Sequence, residues 1–103
     1  MAKSILPNSD ASILQPIQTE HGTFQVKLVQ SLDDHALYFN DSILVIHNNG
    51  YSCHNLAKRI IEVWDGKRDK KYALDQYDYI LACGGMGKAR GSVEWIVSGC
   101  KEE

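Results

Sequence analysis

Apolar and polar positions alternate with a period of two in the first half of the chain. Phe24, Val26 and Leu28 alternate with Gln25 and Lys27, which predicts a half-buried strand over 23–29. Leu32, Asp33, Asp34 and His35 read as a turn. Two further strands are expected at Ala36–Phe39 and Ser42–His47, joined through Asn40 and Asp41, residue types that tolerate the positive φ of a tight hairpin. The unbroken run Ile43–Ile46 suggests a strand covered on both faces.

The period then changes. Asn48, Asn49 and Gly50 break the strand, and Ser52 is a candidate N-cap. From there to Trp64, Leu56, Ala57, Ile60, Ile61, Val63 and Trp64 form one broad apolar face, with Asn55, Lys58, Arg59 and Glu62 opposite. This predicts an amphipathic helix that ends at Asp65 and Gly66. Residues 67–71 form a polar link. Over 72–83, Ala73, Leu74, Tyr77, Ile80 and Leu81 fall on one helical stripe, and Gly84 is placed to close it. Tyr77 to Leu81 also suits a strand, so helix is favoured only slightly. Val93, Trp95 and Val97 alternate around Glu94, which predicts a final strand over 92–98.

The elements sum to an α+β domain. A mainly antiparallel sheet (βββααβ, or βββαββ if 72–83 is extended) carries helix on one face. Residues 1–21 hold both prolines and scattered apolar pairs, Ile5-Leu6 and Ile13-Leu14. They read as an arm that docks by those pairs or stays mobile, ahead of a single domain over 22–103.

Length and composition add bounds. The 103 residues suffice for one domain with its own core. The net charge of −2 demands neither nucleic acid nor a membrane. No apolar run approaches the ~20 residues needed to cross a bilayer. The first ten residues carry no continuous apolar stretch, so no signal peptide is expected. Three cysteines at 53, 83 and 100 are odd in number and form no C-x-x-C. A disulfide framework is not expected, and a reducing, cytoplasmic setting is. Charge is unevenly placed: nine of the eleven Lys and Arg lie from Lys58 onward.

The most motif-like stretch runs from Cys83 to Gly91 and reads CGGMGKARG. A Walker A loop would need Gly at 82 and Ser or Thr at 89, and both are Ala. A dinucleotide fingerprint starting at Gly85 would need Gly at 90, where Arg stands. The stretch is therefore either a mobile connection or a contact element in which Lys88 and Arg90 meet a phosphate or an acidic protein surface. His47, Cys53, His54 and Cys83 match no standard zinc spacing. Cys53 lies in the first turn of the expected helix, where a thiol pKa falls, but its position on the apolar side favours a buried structural thiol.

No catalytic, cofactor or metal constellation emerges. Three functions remain open. The first is binding to another protein, as an inhibitor, an immunity-type or a regulatory protein, which rests on segregated charge and surplus aromatics (Tyr38, Phe39, Tyr51, Tyr72, Tyr77, Tyr79 and Trp95). The second is nucleic-acid binding through the basic segment 58–71 and the glycine-rich loop 84–91. The third is a Cys53-dependent enzyme, against the leading expectation of no enzyme. The candidate contact residues are Lys58, Arg59, Lys67, Arg68, Lys70, Lys71, Lys88 and Arg90. A homo-oligomer is compatible with the first reading.

Overall fold

The computed structural model describes residues 11–29 and 34–100. Residues 1–10, among them the pair Ile5-Leu6, lie outside the described residues, and so do residues 30–33, which include Leu32 and Asp33 of the expected turn. A 3-10 turn, Ala11–Leu14, leads into strands β1 (Ile17–Thr19), β2 (Gly22–Val29), β3 (Asp34–Phe39) and β4 (Ser42–His47). Helices α1 (Gly50–Trp64) and α2 (Lys70–Ala82) follow, then β5 (Met86–Gly87) and α3 (Arg90–Val97). The five described strands form one antiparallel sheet in the order β1-β2-β3-β4-β5. The domain is α+β with helices packed on the sheet, as the alternation and the helical stripes predict.

Pairing of Val26 with Leu37 and of Phe24 with Phe39 puts the apolar positions of β2 and β3 on one face. That face meets Leu56 and Ile60 of α1, Leu74, Tyr77 and Ile80 of α2, and Val93, Ile96 and Val97 of α3 in a single core. Ile13 of the 3-10 turn is buried, and β1 pairs with β2. Trp64 stacks near Phe24 and Phe39, and its indole Nε1–H donates to the Ile96 carbonyl at 2.9 Å, tying α1 to α3.

Several expectations change in detail. Asp34 and His35 belong to β3 rather than to a turn, because Val29 and Leu28 are there to pair with them. The helix is capped by Asn49, whose side chain accepts from the Tyr51 and Ser52 amides, so Ser52 lies inside it. The register of β3 on β4 shifts between Leu37 and Tyr38, opposite Leu44. That bulge explains how Leu44 and Val45, adjacent in sequence, both enter the core. The run Ile43–Ile46 is therefore not covered on both faces, since Ile43 and Ile46 are only half-buried and outside the core.

Residues 72–83 are helical, and Gly84 closes α2 with φ +92° while Gly85 N–H donates to the Ile80 carbonyl. The expected final strand is helix α3 instead. Val93, Ile96 and Val97 fit both periods up to a point, but Ile96 cannot share a strand face with Val93 and Val97. At helical spacing all three are buried, while Trp95 turns outward.

Candidate functional site

The eight candidate cations fall into two separate regions. The first covers the outer side of α1, the link and the start of α2. There the Tyr72 ring is met by two guanidiniums, with Arg59 at 4.3 Å and Arg68 at 4.5 Å from its centroid. Arg59 also donates to the Tyr72 carbonyl at 2.9 Å, and Arg68 approaches Glu62 at 3.9 Å. Lys71 pairs with Asp75 one turn along α2 at 2.9 Å. Much of the basic segment is thus committed to local partners. Lys58 and Lys67 are exposed, and Lys58 borders a shallow depression with Tyr51, Gln76 and Tyr79.

The second region is the glycine-rich stretch. It is neither a nucleotide loop nor a free connection. A Cβ on Gly85 would come within 2.8 Å of the Ile80 carbonyl and 2.9 Å of the Ile46 carbonyl, and one on Gly87 within 3.0 Å of the Leu44 carbonyl. These glycines let the chain press against β4 and pair there as β5. Lys88 N–H donates to the Leu44 carbonyl at 2.9 Å, and the Tyr77 hydroxyl donates to the Lys88 carbonyl. Its backbone is therefore anchored on both sides. Arg90 opens α3 and is engaged by Asp78 at 3.2 Å and Glu94 at 2.6 Å. Those carboxylates, Asp78 first, hold its pKa up. Of the two loop cations, Lys88 is the one that faces a cavity.

That cavity is a cleft of about 650 Å³ between the β3–β4 turn and α3. Phe39, Trp95 and Ile96 supply apolar walls; Ser42, Ser92, Asn40 and His21 supply polar groups; Lys88 supplies a cation. Among the described residues no carboxylate lines it. Trp95 is 45% exposed. Gly91, in the first turn of α3, leaves open space where a side chain would stand. Ala89 caps α3 with no side-chain hydrogen bond, so this positive helix end adds to the field of Lys88.

The sequence singles out Lys88 and includes Trp95 among surplus aromatics. It does not bring Ser42 and His21 to them, because distant segments meet only in the fold. Reading 92–98 as a strand also hid the fact that Ser92, Trp95 and Ile96, spaced i, i+3 and i+4, line the cleft from one side of a helix.

Cys53 is fully buried in α1 and its thiol lies 3.8 Å from the His35 carbonyl. Burial pushes its pKa up to about 12, so the helix N-terminus does not make it a thiolate at neutral pH. His35, directly paired with His47, is fully buried with neither ring nitrogen hydrogen-bonded, and burial lowers its pKa. Among the described residues no three His, Cys, Asp or Glu side chains are grouped so that they could hold a metal ion. No helix among them is long and apolar enough to cross a membrane. No family model, curated protein or solved structure matches this chain.

Proposed function

We propose that this protein works by binding another protein, as an inhibitor, immunity-type or regulatory protein does, through the cleft between α3 and the β3–β4 turn. The observation that carries this reading is the cleft itself. Its volume, within the ~300–1,000 Å³ range of small-molecule pockets, leaves room for a bulky side chain of a partner, and its apolar walls carry a few convergent polar groups. Trp is among the residue types most enriched at energetic hot spots, and the half-exposed Trp95 lines the same cleft as Lys88, whose backbone is anchored. Lys88, with no described carboxylate in the cleft, calls for a partner segment that presents a bulky apolar side chain next to an acid.

A cytoplasmic setting and a non-enzymatic role go with this reading. Nucleic acid through 58–71 gains less support, because Arg59, Arg68 and Lys71 already have partners within the chain.

The test is capture from a source lysate with the wild-type chain and with Lys88→Ser/Trp95→Ala, identified by mass spectrometry with and without nuclease. A protein retained by the wild type, lost by the variant and indifferent to nuclease is expected. Equal capture by both would end the proposal. Retention that nuclease abolishes, with log affinity falling at about −0.9 per phosphate contact against log salt, would replace it by the nucleic-acid reading.

A further inference from the structure

The face of the sheet turned away from the helices has an unusual composition. Register places Gln18 of β1, Thr23, Gln25, Lys27 and Val29 of β2, Asp34, Ala36 and Tyr38 of β3, Ile43 and Ile46 of β4, and Met86 of β5 on it, with the uncharged polar residues towards the β1 edge. Antiparallel sheets with one open face are ordinarily polar on that side. Here the centre is apolar. Tyr38, Ile43, Ile46 and Met86 neither belong to the core nor pack against it, and Met86 is 68% exposed. Among the described residues, charge on the face amounts to one cation and one anion, Lys27 and Asp34, on neighbouring strands. Lys27 also lies over the Tyr38 ring at 4.6 Å, which confirms that the two share this side.

We infer that this face is the interface of a homodimer, packed sheet against sheet. A two-fold interface must be complementary to itself, so each residue's neighbour on one chain has to suit its counterpart on the other. A face with a single charge of each sign around an apolar centre meets that condition. A nucleic acid or a strongly charged protein would instead select one sign. The geometry supports the same conclusion. With strands ~4.8 Å apart and ~3.3 Å per residue, a two-fold axis lying in the face midway between Lys27 and Asp34 runs over Ile46 and beside Met86. Ile46 then meets its own copy at the axis, and each Lys27 faces the second copy's Asp34. The interface lies on the opposite side of the sheet from the helical core, so it is independent of the proposed partner cleft.

Sedimentation velocity on the purified chain tests it, from about 1 µM to 1 mM, the range of weak to moderate affinities. A concentration-dependent rise to the mass of two chains is expected. Ile46→Lys should hold the protein at one chain while leaving its circular dichroism spectrum unchanged; if that variant fails to fold, Met86→Lys gives the same readout. Lys27→Asp and Asp34→Lys should each weaken self-association at least tenfold. An equimolar mixture of those two should associate as a heterodimer at least tenfold more tightly than either alone. In the mixed pair, each contact between position 27 of one chain and position 34 of the other again sets an acid against a base. A wild-type chain that stays single to 1 mM overturns the inference, and so does a dimer that survives both lysine substitutions or a mixture no tighter than its components. A single chain that dimerises only after removal of residues 1–10 would overturn it too, with that segment as the face's natural cover.

Discussion

The β3–β4 hairpin is closed at one end and open at the other. At the closed end His35 and His47 face each other across the strands, Asn49 caps α1, and Gly50 packs so tightly that a Cβ would stand 2.6 Å from the His35 ring. At the open end Phe39 and Ser42 border a cleft, and a Cβ on Gly91 would touch nothing within 4 Å. The same strands thus spend one end on rigidity and leave the other as accessible surface. Polar chemistry divides accordingly. The histidines and Cys53 are sealed into the closed end, while the Lys88 side chain lines the open one.

The largest expected effect is at the closed end. Gly50→Ala forces a methyl against His35 and Ile13 and should destabilise by about 2–3 kcal/mol in denaturant titration. A loss under about 0.5 kcal/mol would mean the closed end is looser than its contacts imply. Cys53→Ala comes next. Removing a fully buried sulfur should cost about 1–2 kcal/mol and leave partner capture intact. Rapid alkylation of Cys53 in the native protein would contradict its burial and return the enzyme reading.

Acid should act on the same end. Burial lowers the His35 pKa below its ordinary value, opposed in part by the nearby Asn48 backbone, which stops short of a hydrogen bond to the ring, and by the charge of Asp34, with His47 adding to the depression. The unfolded chain therefore binds the proton that the folded chain refuses. Stability is full above about pH 6.5, the unfolded value, and declines as pH falls below it toward the folded value. Melting temperature measured from about pH 7.5 to 5.5, either side of that value, should fall at the acid end. His35→Leu should flatten the slope whatever it does to the absolute value. An unchanged slope would assign the proton to another group.

The open end should respond in the opposite sense or hardly at all. Gly91→Ala, the same substitution as at Gly50, places a better helix former where space is free and should stabilise by about 0.5 kcal/mol. Lys88→Ser/Trp95→Ala should stay within about 0.5 kcal/mol of wild type, yet weaken partner binding at least tenfold by isothermal calorimetry once the partner is in hand. Equal stability losses from the alanines at 50 and 91 would erase the distinction between the two ends.

Legibility in the sequence follows the same division. Strand and helix periods are local, so β2, the β3–β4 hairpin, α1 and α2 could be read from runs such as Phe24, Val26 and Leu28 or Leu56, Ala57 and Ile60. Two short strands, β1 and β5, have too few residues to show a period. In α3 the alternation of Val93, Trp95 and Val97 imitates a strand, and only Ile96 discriminates. Asn49 and Ser52 are both good caps by residue type, and residue type does not tell them apart; in the fold it is the Asn49 side chain that accepts from the first-turn amides, next to a Gly50 packed against His35. The cleft was illegible for the same reason: its lining joins positions from His21 to Cys100. Lys88 could be named as a contact, but the anchoring of its backbone by Leu44 and Tyr77 could not.

Strand order in this sheet equals chain order, and that has a kinetic consequence. Each strand adds beside one already made, so pairing from β1 to β4 needs only short loops to close, which favours quick folding for a domain of mixed class. β5 and α3 join last in sequence, after two helices have intervened. During synthesis the hairpin and its histidine end can form before Lys88 and Trp95 have left the ribosome, and the cleft is assembled after them. A chain cut before Lys88 would lack both the residues that line the cleft and Val93, Ile96 and Val97 of the core, so the segment that completes the fold is also the one that creates the cleft.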